Sequence, residues 1–153
     1  MEDWIAPRLA GLVDGADLLL QMDIEGWEYQ ALLACPLDLL ARFRIIVVEF
    51  HDFHRCLELS RYRDVIEPLI WKLALLFDPV HVHPNNASSS FGFAGIVCPM
   101  VFELTLHRKD RRKVAPHPVV AGLPHPLDVE NVALRPGLSL AGWPAHRDWL
   151  VDL

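Results

Sequence analysis

The stretch "LLLQMDIEGWEYQALL", Leu18 to Leu33, joins an apolar run to a helix-like run through Asp-Ile-Glu-Gly. Asp17–Ile24 is nearly continuous in apolar residues and of strand length, the composition of a strand covered on both faces. Successive strand side chains point to opposite faces, so Asp23 and Glu25 share one face while Met22 and Ile24 share the other. Gly26 permits a sharp exit, and helical spacing then runs from Trp27 to about Ala34. Open α/β sheets present ligand-binding groups in this way, at the carboxyl end of a strand that leads into a helix. The same acids also suit a solvated rim or a charge pair at a helix N-terminus. The other strand ends decide between these readings.

Upstream, Trp4, Ile5, Leu9, Leu12 and Val13 fall on one helical face that Gly15 closes. Downstream, Pro36 interrupts the helix after Ala34, and Leu37–Phe43 has helical spacing again. "RIIVVEFH", Arg44–His51, is rich in Ile and Val and predicts a strand. After a loop over Asp52–Ser60, the residues Tyr62, Val65, Ile66, Leu69, Ile70, Leu73, Leu76 and Phe77 mark an amphipathic helix that Pro68 should kink or restart. "PVHVHP" predicts a short strand, "NNASSSFGFAG" a polar turn and "MVFELTLH" a returning strand, with Pro99 at its first residue or at a bulge. The first three strands, joined by helical crossovers, are expected to be parallel, and the last pair a hairpin. Six of the 12 prolines lie between Pro116 and Pro144, so residues 116–153 are expected to form an extended tail on a domain spanning 1–115.

At 153 residues the chain fits one domain able to bury roughly two-thirds of its unfolded surface. Apolar residues make up 52% and charged residues 22%, a globular composition. Twenty acids against 14 bases give a net charge of −6, which argues against a nucleic-acid or anionic-membrane binder. Cys35, Cys56 and Cys98 lack the spacing of a zinc site or a disulfide framework, and a reducing cytoplasm suits them. The N-terminus lacks a signal-peptide layout. The longest apolar run, "VIEPLIWKLALLF", carries Glu67, Pro68 and Lys72 and does not predict a membrane span.

The strand ends repeat a pattern. The first closes on Asp23-x-Glu25, the second on Glu49-x-His51, the third on His81-x-His83 with Asn85 and Asn86 just beyond. Spacing two puts both members of each pair on one face, and neighbouring strands lie about 5 Å apart, so Asp23, Glu49 and His83 are expected to share a cleft. Plainer roles compete: an ion pair of Glu49 with Arg44 or Arg42, a satisfied core histidine for His81, surface positions for His54, His107 and His117. "RKDRRK", Arg108–Lys113, reads as a solvated loop, with phosphate recognition the lesser option. Acids beside neutral imidazoles suit proton abstraction from a hydroxyl, with Glu49 orienting His51 or His83. They equally suit a divalent metal ion, and spacing does not separate the two. The serines of "ASSSF" lack a nucleophile-elbow motif, so nucleophilic catalysis is less supported.

Together "LLLQMDIEGWEYQALL", "IIVVEFHDF", "VHVHPNN" and "VFELTLHRKD" resemble the carboxyl-terminal half of an FkbM-type methyltransferase, over about Asp17 to Asp110. "LPHPLDVENV" is similar to tails of some bacterial members. The resemblance implies the three-layer, Rossmann-like class I fold that binds S-adenosylmethionine, with a mostly parallel sheet. It implies methyl transfer, usually to an oxygen of a small molecule. Asp17–Ile24 would be the fourth strand and Arg44–His51 the fifth, and the final hairpin would supply the sixth and seventh, the seventh inserted antiparallel between five and six. By the same resemblance Asp23 and Glu25 sit near the methyl donor, while Glu49, His51, His83 and Asn86 line the acceptor side. The family's glycine-rich turn should precede Asp17, yet only sixteen residues do, and no G-x-G-x-x-G occurs. The expectation is therefore a partial domain. A metal-binding hydrolase-like site (Asp23, Glu49, His51, His83) and a non-catalytic domain completing another chain are the alternatives. Asp17–Ile24 would also lack its first-strand neighbour, and no lysine or proline protects that edge, so a homo-oligomer or a complex with a missing-half protein is expected.

Overall fold

The computed structural model describes residues 15–113, 125 and 127–138. The helix expected over Trp4–Val13, His117, and most of the Pro-rich tail lie outside the described residues. Four strands form the main sheet: β1 (Leu18–Met22), β2 (Phe43–Phe50), β3 (Phe77–Pro84) and β6 (Phe102–Arg108). A separate hairpin comprises β4 (Ser90–Phe93) and β5 (Ile96–Pro99). Helices α1 (Glu28–Ala34) and α2 (Leu37–Leu40) join β1 to β2. A helical run of α3 (Leu59–Arg61), a π turn (Tyr62–Ile66) and α4 (Glu67–Leu76) joins β2 to β3. Pro68 sits in the first turn of α4, where a missing N–H costs least, and the π turn just before it restarts the helix.

The strand order is β1-β2-β6-β3. The last strand is inserted antiparallel between the second and third, as the resemblance implied. A mostly parallel sheet is not what forms. β1–β2 is a parallel ladder, while β2–β6 and β3–β6 are antiparallel. The three crossover-linked strands do share a direction, but β6 separates β2 from β3 and converts one parallel ladder into two antiparallel ones. The sequence also missed a hairpin. Between β3 and β6 the chain forms β4 and β5 rather than a plain turn, closed by Ala94 (φ 50°) and Gly95 (φ 81°), the pair of positive φ values that a two-residue hairpin loop requires.

The sheet's two faces differ. Leu18, Leu20 and Met22 of β1, Ile46, Val48 and Phe50 of β2, and Leu106 of β6 meet Tyr29 and Leu32 of α1 and Leu69 and Leu73 of α4 in one core. Each fully buried side chain of this kind stabilises by about 1.5–3 kcal/mol. The opposite face carries Leu19, which is 64% exposed, so β1 is not covered on both sides as its composition implied. On that second face the polar residues Gln21, Glu49, Glu103 and His83 alternate with the core set. It carries the candidate site.

"RKDRRK" is also corrected in part. Arg108 is buried; its guanidinium donates to the carbonyl of Ala41 and to Asp17 (3.1 Å), and Arg111 reaches the same Asp17 carboxylate at 2.9 Å. Arg112 pairs with Asp78 at 3.0 Å. The hydrogen bond from Arg111, helped by the charges of Arg108 and Arg44, outweighs burial and holds the Asp17 carboxyl below its ordinary range. Arg108 thus ties the end of β6 to the start of β1, while residues 110–113 stay exposed, as a solvated loop would.

Candidate functional site

Register builds the first part of the site. Glu49 of β2 pairs with Glu103 of β6, which pairs with His83 of β3, so three titratable side chains stand in a row across three strands. Asp23 follows the last paired residue of β1 and extends the row. A cleft of about 100 Å³ opens there, lined by Asp23, Glu49, Glu103 and His83 with Gln21, Asn85 and Asn131. Asp23, Glu49 and His83 thus face one cleft. Glu103 was not singled out from sequence, because Glu in "VFELTL" reads as the outward residue of a half-buried strand. Asn85, noted beyond the third strand end but given no role there, donates from Nδ2 to Glu49 Oε1 at 2.6 Å. This amide, and not Arg44 or Arg42, is the partner of Glu49; Arg44 lies 3.8 Å from Asp17.

The second part is centred on His51, just past β2. Its Nδ1 lies 3.1 Å from Glu28 Oε1. Its Nε2 faces three more carboxylates: Glu25 at 3.4 Å, Asp23 at 3.8 Å and Glu49 at 4.0 Å. Glu28, not Glu49, is therefore the acid in hydrogen-bonding position to orient this imidazole. Glu28 was missed from the sequence although it left a signal, since it lies four residues before the core residue Leu32 and so on the buried stripe of α1.

Local conformation explains why an acid is tolerated there. Glu25 (φ 55°) and Gly26 (φ 100°) turn the chain sharply between β1 and α1 and leave backbone N–H groups aimed inward. Glu28 Oε1 accepts from the N–H of Ile24 (3.0 Å) and Gly26 (3.1 Å), and Oε2 accepts from Gly26 as well (3.1 Å). Burial pushes the Glu28 carboxyl up. The backbone N–H groups of Glu28, Gly26 and Ile24, with the His51 imidazole, outweigh it and hold the group below its ordinary range.

The remaining candidates separate. Asn86 is buried but does not line the cleft. It donates to the carbonyls of Val132 (3.0 Å) and Arg135 (3.1 Å) and accepts from Val132 N–H (2.8 Å), so it anchors the tail. His81 is a satisfied histidine, 2.9 Å from Asp128 of the tail. His83 Nδ1 lies 3.6 Å from the same carboxylate, beyond hydrogen-bonding reach, and neither of its ring nitrogens has a hydrogen-bond partner. Burial raises the Asp128 carboxyl, but the N–H of His125 and the two imidazoles prevail and leave it lowered.

Residues 13–75 match the family model described as the Methyltransferase FkbM domain. The matched segment contains Asp23, Glu25, Glu28, Glu49 and His51, and over it the resemblance read from the sequence stands. No curated protein and no solved structure matches the chain. No helix among the described residues is long and apolar enough to cross a membrane.

Proposed function

We propose that this chain supplies the acceptor side of an S-adenosylmethionine-dependent methyltransferase that methylates a hydroxyl oxygen of a small molecule, on a class I fold in the cytoplasm. The observation that carries the reading is the placement of His51 within the family-matched segment, its Nε2 turned toward Asp23, Glu25 and Glu49. When bound, the donor supplies an electrophilic methyl group on a positively charged sulfonium. Asp23 and Glu25, 52% and 85% exposed at their side chains, fit that positive charge and the donor's ammonium group. The cleft beside them suits a fragment of the acceptor, not a nucleoside. His51 takes the proton of the acceptor hydroxyl on Nε2, and Glu49, held by Asn85, orients the acceptor.

A label-transfer assay with methyl-labelled S-adenosylmethionine and a panel of hydroxylated small molecules tests this reading. Label should reach an acceptor oxygen, and His51→Ala should lower turnover by about 10²–10⁴. Label transfer undiminished in His51→Ala overturns the assigned role. Absence of donor binding by titration calorimetry overturns the reading as a whole.

A second reading has its own observation. One ligand atom each from Asp23, Glu49 and His51 lie within 4.8 Å of one another, a spacing that suits a divalent cation. Stoichiometric binding of Mg²⁺ or Mn²⁺ in the same calorimeter, with no donor binding, favours it. Binding of neither leaves the role of a non-catalytic partner domain. In all three readings we retain association through the edge of β1, with a second copy or with a partner chain.

A further inference from the structure

Glu28 is the one acid around His51 with no exposed surface, and the chemistry described above does not use it. Its carboxylate takes two backbone N–H groups and stands 3.1 Å from His51 Nδ1. An ionised carboxylate has no proton to give, so the hydrogen bond forms only if Nδ1 carries one. We infer that Glu28 is a positioning residue that fixes His51 as the Nδ1–H tautomer, leaving the ring's lone pair on Nε2.

Three features support the assignment. Glu25, Asp23 and Glu49 lie 3.4, 3.8 and 4.0 Å from Nε2, too far to match the Nδ1 contact, and the first two are largely in water, which screens them. Glu28 is rigid by comparison, tied into the turn between β1 and α1 at both oxygens. The ring is held from β2 while its partner is held from α1, so two elements must keep register for the contact to exist. The consequence is directional. The nitrogen facing the cluster is the one left with a lone pair, as a base acting there requires. The inference rests on the proposed role of His51 for its catalytic meaning, but the tautomer itself is a property of the unliganded chain.

The imidazole nitrogens of the full ¹⁵N-labelled chain, observed through long-range proton correlations above the range where histidine titrates, give the tautomer directly. The His51 pattern is identified by its loss in His51→Ala. The expected pattern is a protonated Nδ1 and an unprotonated Nε2. A protonated Nε2 in the wild-type chain overturns the inference, whatever the enzyme assay shows. Glu28→Gln adds a second readout. Where it folds, the His51 pattern should shift and turnover should fall at least tenfold with donor affinity unchanged. An unaltered His51 pattern in that variant overturns the inference too. Should the variant not fold, the wild-type spectrum decides alone. Loss of all methyl transfer with the Nδ1–H pattern intact would count against the proposed function and leave the tautomer assignment standing.

Discussion

A carboxylate with no exposed surface is destabilising unless its lone pairs are taken, and Glu28 meets that condition with backbone N–H groups and one imidazole. Its pH behaviour follows in sign. The folded-state pKa is depressed, so the unfolded chain binds this proton more readily than the folded one. The stability Glu28 contributes is full above the ordinary carboxyl range, about pH 4.5, and is lost as pH falls through the lowered folded value. Denaturant midpoints measured from pH 7 down to pH 3 should therefore decline, and Glu28→Gln should flatten part of that decline. At pH 7 the same substitution should cost about 1–3 kcal/mol, because the backbone donors lose a charged acceptor. A variant as stable as the parent at pH 7 would mean that the N–H groups find other partners. Sequence reading stopped short at this residue for a definable reason. Asp23, Glu25, Glu49 and His51 stand out because strand parity places them, whereas an acid in "WEYQALL" is commonplace on a helix until its face is known.

Elements carry the next set of consequences. The turn between β1 and α1 depends on Gly26 at φ 100°, a conformation that a Cβ disfavours, although the nearest atom to such a Cβ would be Asp52 Oδ2 at an unstrained 3.9 Å. Gly26→Ala should thus destabilise by more than about 1 kcal/mol through backbone conformation and not through a clash. It should also perturb the amide resonances of Ile24 and Glu28; a neutral effect would show that the turn relaxes. Asn86 acts at the same scale. Removing its side chain breaks three hydrogen bonds to Val132 and Arg135. Asn86→Ala should cost about 1–3 kcal/mol and speed hydrogen exchange at Val132 well before it affects the core. Unchanged protection there would mean that the tail is held by its other contacts, Asp128 with the β3 histidines and Arg135 donating to the carbonyl of Ala87 (2.9 Å). The strands β1 and β2 were legible because runs such as "RIIVVEF" have one reading. The β4–β5 hairpin was not, since "SSSFGFAGIVCP" mixes turn residues with apolar ones and its strands pair only with each other. The fate of Asn86 was hidden because its partners lie about fifty residues downstream.

At the scale of the molecule, the sheet order was legible only through the family resemblance, since nothing in "VFELTL" announces that this strand enters between β2 and β3. What the order leaves is an edge. Among the described residues β1 pairs with β2 alone. Strand β1 reads "LLLQM", without the charge or proline that keeps an edge from recruiting a neighbour. Leu19 is 64% exposed on the open face beside that edge, and Ile24 is 40% exposed just beyond its end. In a parallel ladder alternate N–H and C=O groups point away from β2, and a strand supplied from elsewhere would satisfy them. Light scattering of the purified chain should give a mass above that of one copy, rising with concentration. Leu19→Lys should return it toward the monomer without changing thermal stability by more than about 0.5 kcal/mol, as for an exposed site away from the core. Hydrogen exchange at Leu18–Met22 supplies the local readout. Outward amides protected in the assembly and released in Leu19→Lys would identify β1 as the contact. A monomer at every concentration with fast exchange there would show a bare edge tolerated in water. A monomer with those amides protected would show the chain covering its own edge. Either result removes self-association through β1.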